Sequence, residues 1–410
     1  MATTTPSPAA YCLDLTRLVS RVGLGPLTGV DRVELAYFSK FLSEDALFFG
    51  LVKLRFGYAM LDRAGAQALY DRMVLGARWG GINRLQSLGS KRPRAVMQAQ
   101  ADIRRLSVGR ARSGGLARLL KKHLPDGTEY FNVGHSDLSE KVLVAVKSLP
   151  GARISVLVHD TIPLDFPQFQ RPEIPLQFKA KLQAVGAFAD RVICTSAVTG
   201  DDIRRHLSKW GRVPEMQVAH LGLSPGLEHS GDPHDTPPIT QPYFIVLGTI
   251  EPRKNHTLLL DIWDRFAKSG DPFPGLVIAG RRGWKNQSVF ERLDEKPAGV
   301  VELNELPDRD VSLLMARAAG LLFPSHCEGF GLPAAEAAVM GVPVICNNLP
   351  VFREVLGNYP VYADVADLYS WETKINNLVH YGKNRNNEKG RTEFDRDQLS
   401  WNNHFRIVLV

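Results

Sequence analysis

Apolar residues in the second half of the chain come in short runs, set apart by glycine or proline turns and by stretches of helical period. Tyr243–Leu247, Val300–Leu303 and residues 276–279, 320–325 and 342–346 are runs of strand length. Their apolar character is continuous rather than alternating, as in strands buried on both faces. Residues 256–268 place Leu258, Leu259, Ile262, Trp263 and Phe266 on one helical stripe, with Asn255 as the expected N-cap and Gly270 beyond the end. Residues 307–318 form a further helix, and Pro333 suits the first position of a short helix that Gly341 stops. Residues 359–363 supply a last strand. Strand, turn and helix in alternation specify an α/β domain with a mostly parallel sheet.

The first half repeats the plan less regularly. Residues 11–16 (YCLDLT) read as a first strand, followed by a glycine-rich loop at 23–29 and a helix from about Val30 with Val33, Ala36, Tyr37 and Phe41 on one face. Further strands are expected at 47–52, 130–133, 154–158, 191–195 and 216–220, with helices near 64–74, 175–189 and 196–209. Then the texture changes: PGLEHSGDPHDTPPITQP, from Pro225, holds five prolines and almost no apolar residues, which marks a linker. The expected division is a first domain over 1–228, a linker over 229–242 and a second domain over 243–398. The remaining segment, 399–410, fits a helix or a strand equally well.

Composition narrows the class. A chain of 410 residues is too long for a single core. No run approaches the ~18 apolar residues of a membrane span, and MATTTPSPAA lacks the basic and apolar regions of a secretory signal. Cys12, Cys194, Cys327 and Cys346 form no CxxC pair, which suits reduced thiols in a cytoplasmic protein rather than disulfides or a zinc site. Residues 78–122 carry twelve Lys or Arg against the single acid Asp102, an excess larger than the net charge of +7 for the whole chain. That segment is either a contact for anionic membrane or a lipid diphosphate, or a solvated helical face. Nucleic acid is not an expected partner, because no helix-turn-helix, zinc-finger or RNP signature occurs.

Candidate chemistry collects at predicted strand ends, where open α/β sheets bind ligands. Glu328 and Glu336 flank GFGLP with seven residues between them, beside a helix start that would attract anions. Carboxylates there suit sugar hydroxyls, each able to accept two O–H bonds from a vicinal diol. Arg253 and Lys254 lie between a strand and a helix on the same edge, a cation pair suited to a diphosphate. In the first half, His135, His159 and Asp160 follow strands. His159 and Asp160 are placed for acid/base work or hydroxyl binding, unless Asp160 merely caps the next turn. The loop GLGPLTG fails the GxGxxG dinucleotide pattern, since Thr28 stands at the third glycine, and it lacks the GK[ST] of a P-loop.

EGFGLPAAEAAVMGVPVI resembles the signature of retaining GT-B glycosyltransferases of family 4, and LGTIEPRKN, VIAGRRGW and LPVFREV resemble parts of the same donor-domain pattern. TGVDRVELAY, HDTIPLDFPQFQRPE and ADRVICTS resemble that family's acceptor domain. The resemblance implies an α/β protein of GT-B architecture, two Rossmann-like domains facing a cleft, with no metal and no cofactor beyond the donor substrate. It implies that Glu336 holds the ribose and Glu328 the transferred sugar, and that Arg253 and Lys254 hold the diphosphate. Backbone at Phe330, Gly331 and Leu332 would contact sugar or phosphate, Gly29 would admit the diphosphate from the first domain, and His159 would meet a distal sugar hydroxyl. Asp160 and His135 join the expected substrate contacts. One departure stands out: where many members carry an arginine six positions before the lysine, this chain has Gly248. The final segment resembles a helix that packs back on the first domain.

The implied activity is transfer of a hexose to a glycan or lipid-linked acceptor in polysaccharide biosynthesis, with retention, by a cytoplasmic enzyme touching the inner membrane face through residues 78–122. The style of the motifs resembles bacterial mannosyltransferases, which points to GDP-mannose. The alternatives are a nucleotide-sugar epimerase on the same fold and a non-catalytic, membrane-associated nucleotide-sugar-binding protein.

Overall fold

Two separate sheets form from the buried strands of the two halves. The computed structural model describes residues 7–81, 93–223, 239–382 and 394–409. The first sheet contains β1 (Ala10–Asp14), β2 (Leu47–Leu54), β3 (Gly57–Leu61), β4 (Gly109–Ala111), β5 (Glu129–Asn132), β6 (Arg153–Val158), β7 (Arg191–Cys194) and β8 (Glu215–Val218). Its order is β4-β3-β2-β1-β5-β6-β7-β8, parallel except where β3 pairs with β2 and β4. The second holds β9 (Tyr243–Leu247), β10 (Gly275–Ala279), β11 (Val300–Leu303), β12 (Gly320–Phe323), β13 (Val344–Cys346) and β14 (Val361–Tyr362). These are all parallel, in the order β11-β10-β9-β12-β13-β14.

Central strands are buried along their length, β1 and β9 at every residue, which is why their sequences show no alternation. Strand order reverses between β1 and β5 in the first sheet and between β9 and β12 in the second. Those two switch points are where such sheets open a ligand crevice.

Several expectations need correction. The first strand stops at Asp14, because Asp14 Oδ1 accepts the Thr16 N–H at 2.9 Å and turns the chain into the helix Thr16–Arg21. Strands β3 and β4 went unrecognised: Arg55 and Phe56 form a two-residue hairpin turn with Leu54 opposite Gly57. The helices Glu140–Lys147 and Gln287–Asp294 were missed as well. Within the basic segment, the described residues fold into the helices Arg94–Leu106 and Leu116–His123 with β4 between them. Buried Asp102 pairs there with Arg72, at 3.0 Å, and with Arg105. Residues 82–92 and most of the expected linker lie outside the described residues.

The last segment forms the helix Trp401–Val408, and it packs on the first sheet's side of the molecule. His404 Nε2 lies 2.7 Å from Tyr37 Oη, and Arg191 and Gln217 donate to the Val408 and Ile407 carbonyls at 2.8 and 2.6 Å. No helix among the described residues is long and apolar enough to cross a membrane.

Candidate functional site

Four strand ends converge on one cleft. After β1, the helix Gly29–Ser43 starts under tight local control: Thr28 donates its N–H to Asp31 Oδ2 at 2.8 Å, and Arg17 and Arg21 pair with the same carboxylate at 2.6 and 3.3 Å. This fixes Gly29 against the second domain, where a β-carbon would come 2.8 Å from Leu332 Cδ1. A larger residue would require the Leu332 side chain to shift.

His159 and Asp160 enter the cleft from the end of β6. His159 Nε2 lies 2.7 Å from the Val133 carbonyl. A carbonyl only accepts, so Nε2 carries the proton and Nδ1 remains as an acceptor. Burial pulls the pKa of His159 down to about 4, so it is neutral at neutral pH. Asp160 Oδ1 accepts the Ile162 N–H at 3.0 Å, so it caps the following turn while still lining the cleft. Burial raises its pKa, with Arg253 opposing. His135, expected among the substrate contacts, is not one of the residues lining this cleft. Its backbone turns to φ 55°, and its ring sits 5.1 Å from that of His159, with Nε2 donating to the Leu157 carbonyl at 2.8 Å.

Beyond β9 the chain passes Gly248, at φ 125°, into a 3-10 turn over Pro252–Lys254. At that φ an arginine in place of Gly248 would be strained. Asn255 precedes the helix His256–Ser269 but is left-handed (φ 54°) and makes no side-chain cap, contrary to expectation. Arg253 reaches Glu251 Oε1 at 2.6 Å and Glu328 Oε2 at 2.8 Å; Lys254 Nζ reaches Glu328 Oε1 at 2.5 Å and lies 4.5 Å from the Phe323 ring centroid.

The loop after β12 delivers Glu328, and Gly331 ends it. At φ 87°, with Phe352 Cε1 2.5 Å from where a β-carbon would stand, only glycine fits there. The helix Leu332–Val339 then puts Pro333 at its second position, one step later than the sequence suggested, and Glu336 in its second turn. Glu336 Oε1 is 2.6 Å from Arg32 Nη1, and Arg32 Nη2 is 3.1 Å from Asp308 Oδ1, so a first-domain guanidinium bridges two second-domain acids.

Neither glutamate stands free. Buried carboxylates need partners, and each has one: Glu328 holds Arg253 and Lys254, and Glu336 holds Arg32. Burial would raise the Glu328 pKa, but Arg253 and Lys254 overcome it and hold the group at about 2. Burial leaves Glu336 raised despite Arg32.

Gly29, His159, Asp160, Arg253, Lys254, Glu328, Phe330, Gly331, Leu332 and Glu336 line one cavity of about 580 Å³. Arg17, Arg21, Arg32, Thr195, Arg281, Trp284 and Asp308 also line it and were not singled out from the sequence. Arg32 had a usable signal, since it lies within TGVDRVELAY, and Arg281 and Trp284 lie within GRRGW.

Residues 234–391 match the family model described as glycosyl transferases group 1. The chain is 32% identical over 228 residues to the serotype-specific mannosyltransferase WbdA of Escherichia coli, a match covering 52% of this chain and 28% of that protein. It is 32% identical over 165 residues to the O-antigen chain mannosyltransferase B of E. coli, covering 40% of this chain and 43% of the other. The matches thus span less than half the length of these relatives. Among solved structures, Anabaena HepE in complex with UDP superposes with a TM-score of 0.58 at 13% identity, over 91% of this chain and 90% of that one. The protein has the GT-B fold of two facing parallel-sheet domains, and its second half carries a glycosyl transferases group 1 domain.

Proposed function

We propose that this chain is a hexosyltransferase that moves mannose from GDP-mannose to a glycan or lipid-linked acceptor in bacterial polysaccharide assembly, with retention of configuration. The observation that carries this reading is the convergence of Glu328, Glu336, Arg253 and Lys254 with His159 and Gly29 of the facing domain around one cavity. Matches to proteins named mannosyltransferases, one of them acting on O-antigen chains, support the sugar and the pathway class.

In this reading Glu336 exchanges Arg32 for the ribose diol, and Glu328 accepts from hydroxyls of the transferred sugar. Neutral His159 offers Nδ1 to a sugar hydroxyl rather than acting as an acid. The bond from the anomeric carbon to the diphosphate breaks as the acceptor oxygen bonds to that carbon, and the acceptor's proton passes to the departing phosphate. The negative charge that develops there is met by Arg253, Lys254 and the amide donors at Phe330, Gly331 and Leu332, so cationic side chains and a helix start replace a metal ion. The acceptor enters from the first domain, and residues 78–122 hold the enzyme at the inner face of the membrane.

The test is a screen of GDP-mannose, UDP-glucose and other nucleotide sugars with glycan acceptors, the product anomer being read by NMR. Transfer from GDP-mannose with retention, abolished in Glu336→Ala, is the expected result. A new nucleotide sugar formed without an acceptor would make the chain an epimerase. No turnover or binding of any donor, with vesicle binding intact, would leave a non-catalytic protein.

A further inference from the structure

The junction after β7 makes a contact that the site described above does not explain. Ser196 caps the helix Ala197–Leu207: its Oγ accepts the Thr199 N–H at 3.0 Å and donates to Thr199 Oγ1 at 3.0 Å. Thr199 Oγ1 in turn donates across the domain boundary to the Gly329 carbonyl at 3.0 Å. Thr195 Oγ1 lies 3.3 Å from the same Gly329 carbonyl and 3.2 Å from the His159 carbonyl, so Thr199 makes the shorter of two hydroxyl contacts to Gly329, and both threonines are buried. Gly329 lies between Glu328 and Phe330, and a β-carbon there would stand 2.4 Å from the His159 carbonyl oxygen. The loop that carries the donor contacts is therefore pressed against the first domain.

A second tie lies beside it. Glu354, from the helix Pro350–Leu356, accepts the Ala197 N–H on Oε1 at 2.6 Å and the Val198 N–H on Oε2 at 3.0 Å, and His220 Nε2 lies 3.0 Å from its Oε1. The first amides of a helix have no partner within it, and its N-terminus favours negative charge. Here a carboxylate of one domain satisfies them in the other.

We propose that Thr199 and Glu354 are positioning residues that fasten the first turn of the helix Ala197–Leu207 to the Gly329 loop, so that Glu328 and Phe330 are set only when the domains close. The assignment rests on Glu328 and Phe330 being donor contacts, as proposed above. Neither Thr199 nor Glu354 lines the cleft; their effect runs through one peptide plane. In a trans peptide the carbonyl and the next N–H point in opposite directions. A hydroxyl that holds the Gly329 carbonyl toward the first-domain helix therefore fixes the Phe330 N–H on the opposite side. Glu354 holds that helix in register with the second domain.

Thr199→Val keeps the shape and removes the hydroxyl, whereas Thr199→Ser keeps the hydroxyl. Thr199→Val is expected to lower kcat about tenfold through misplacement of the loop. Thr199→Ser is expected to restore the rate. Hydrogen exchange on the full-length protein needs no substrate: Thr199→Val and Glu354→Gln should each speed exchange at residues 328–332 while leaving β10 unchanged. Equal behaviour of the Val and Ser variants, or unaltered exchange at 328–332, would overturn the proposal. A donor screen that fails while exchange responds would instead sink the enzymatic reading and keep the clasp.

Discussion

Glu328 and Asp14 show how burial alone does not decide the sign of an electrostatic effect. Burial would raise the pKa of Glu328, but two cations hold it at about 2, below its ordinary value of 4.5. The stability it contributes is present in full above pH 4.5 and is lost as the pH falls through about 2. Glu328→Gln is expected to flatten acid unfolding in that window and to cost about 3–5 kcal/mol at pH 7, because Arg253 and Lys254 lose a buried partner. Urea titrations at several pH values measure both effects. Asp14 goes the other way: burial raises it from 3.8 to about 7, even with hydrogen bonds from Thr16 and Tyr130. The folded state therefore holds its proton more tightly than the unfolded chain does, and stability falls as pH rises from about 4 through 7. Asp14→Asn should remove that slope. Neither sign could be read from the sequence, since both depend on neighbours brought together by folding.

At the scale of elements, local pattern carried far where a strand is central and a helix amphipathic. Tyr243–Leu247 and Val300–Leu303 match the observed strands residue for residue, and EGFGLPAAE does sit at a strand end leading into a helix. The hairpin β2–β3 escaped because GYAML is short and its turn, Arg55-Phe56, contains none of the usual turn residues. The final segment was undecided because its residues suit either state, and tertiary packing makes it a helix. Phe405, buried at 6% exposure, meets the Tyr37 ring at 5.0 Å and stacks on Trp401 at 5.6 Å. Phe405→Ala should cost about 3–4 kcal/mol, seen as an earlier urea transition. An unshifted transition would mean that the helix adds nothing to the first domain's stability.

Across the whole molecule, the two domains meet at several places around the cleft. Arg32 bridges Asp308 and Glu336, Thr199 and Glu354 tie the loop and helix described above, and Trp284 and Lys285 donate to backbone carbonyls at 168–170, at 2.9 to 3.0 Å. These contacts join residues more than a hundred positions apart, and no local periodicity encodes them. That is why the sequence supplied Glu328, Glu336, Arg253 and His159 as separate strand-end features but did not pair Arg32 with Glu336. The pairing sharpens the proposed function, in which a ribose replaces the Arg32 guanidinium on Glu336. Saturation-transfer NMR with GDP-mannose tests that claim most directly. Strong transfer to the ribose and mannose protons is expected in wild type, with the ribose signal lost in Glu336→Ala and the mannose signal lost in Glu328→Gln. Equal transfer in wild type and both variants would contradict it.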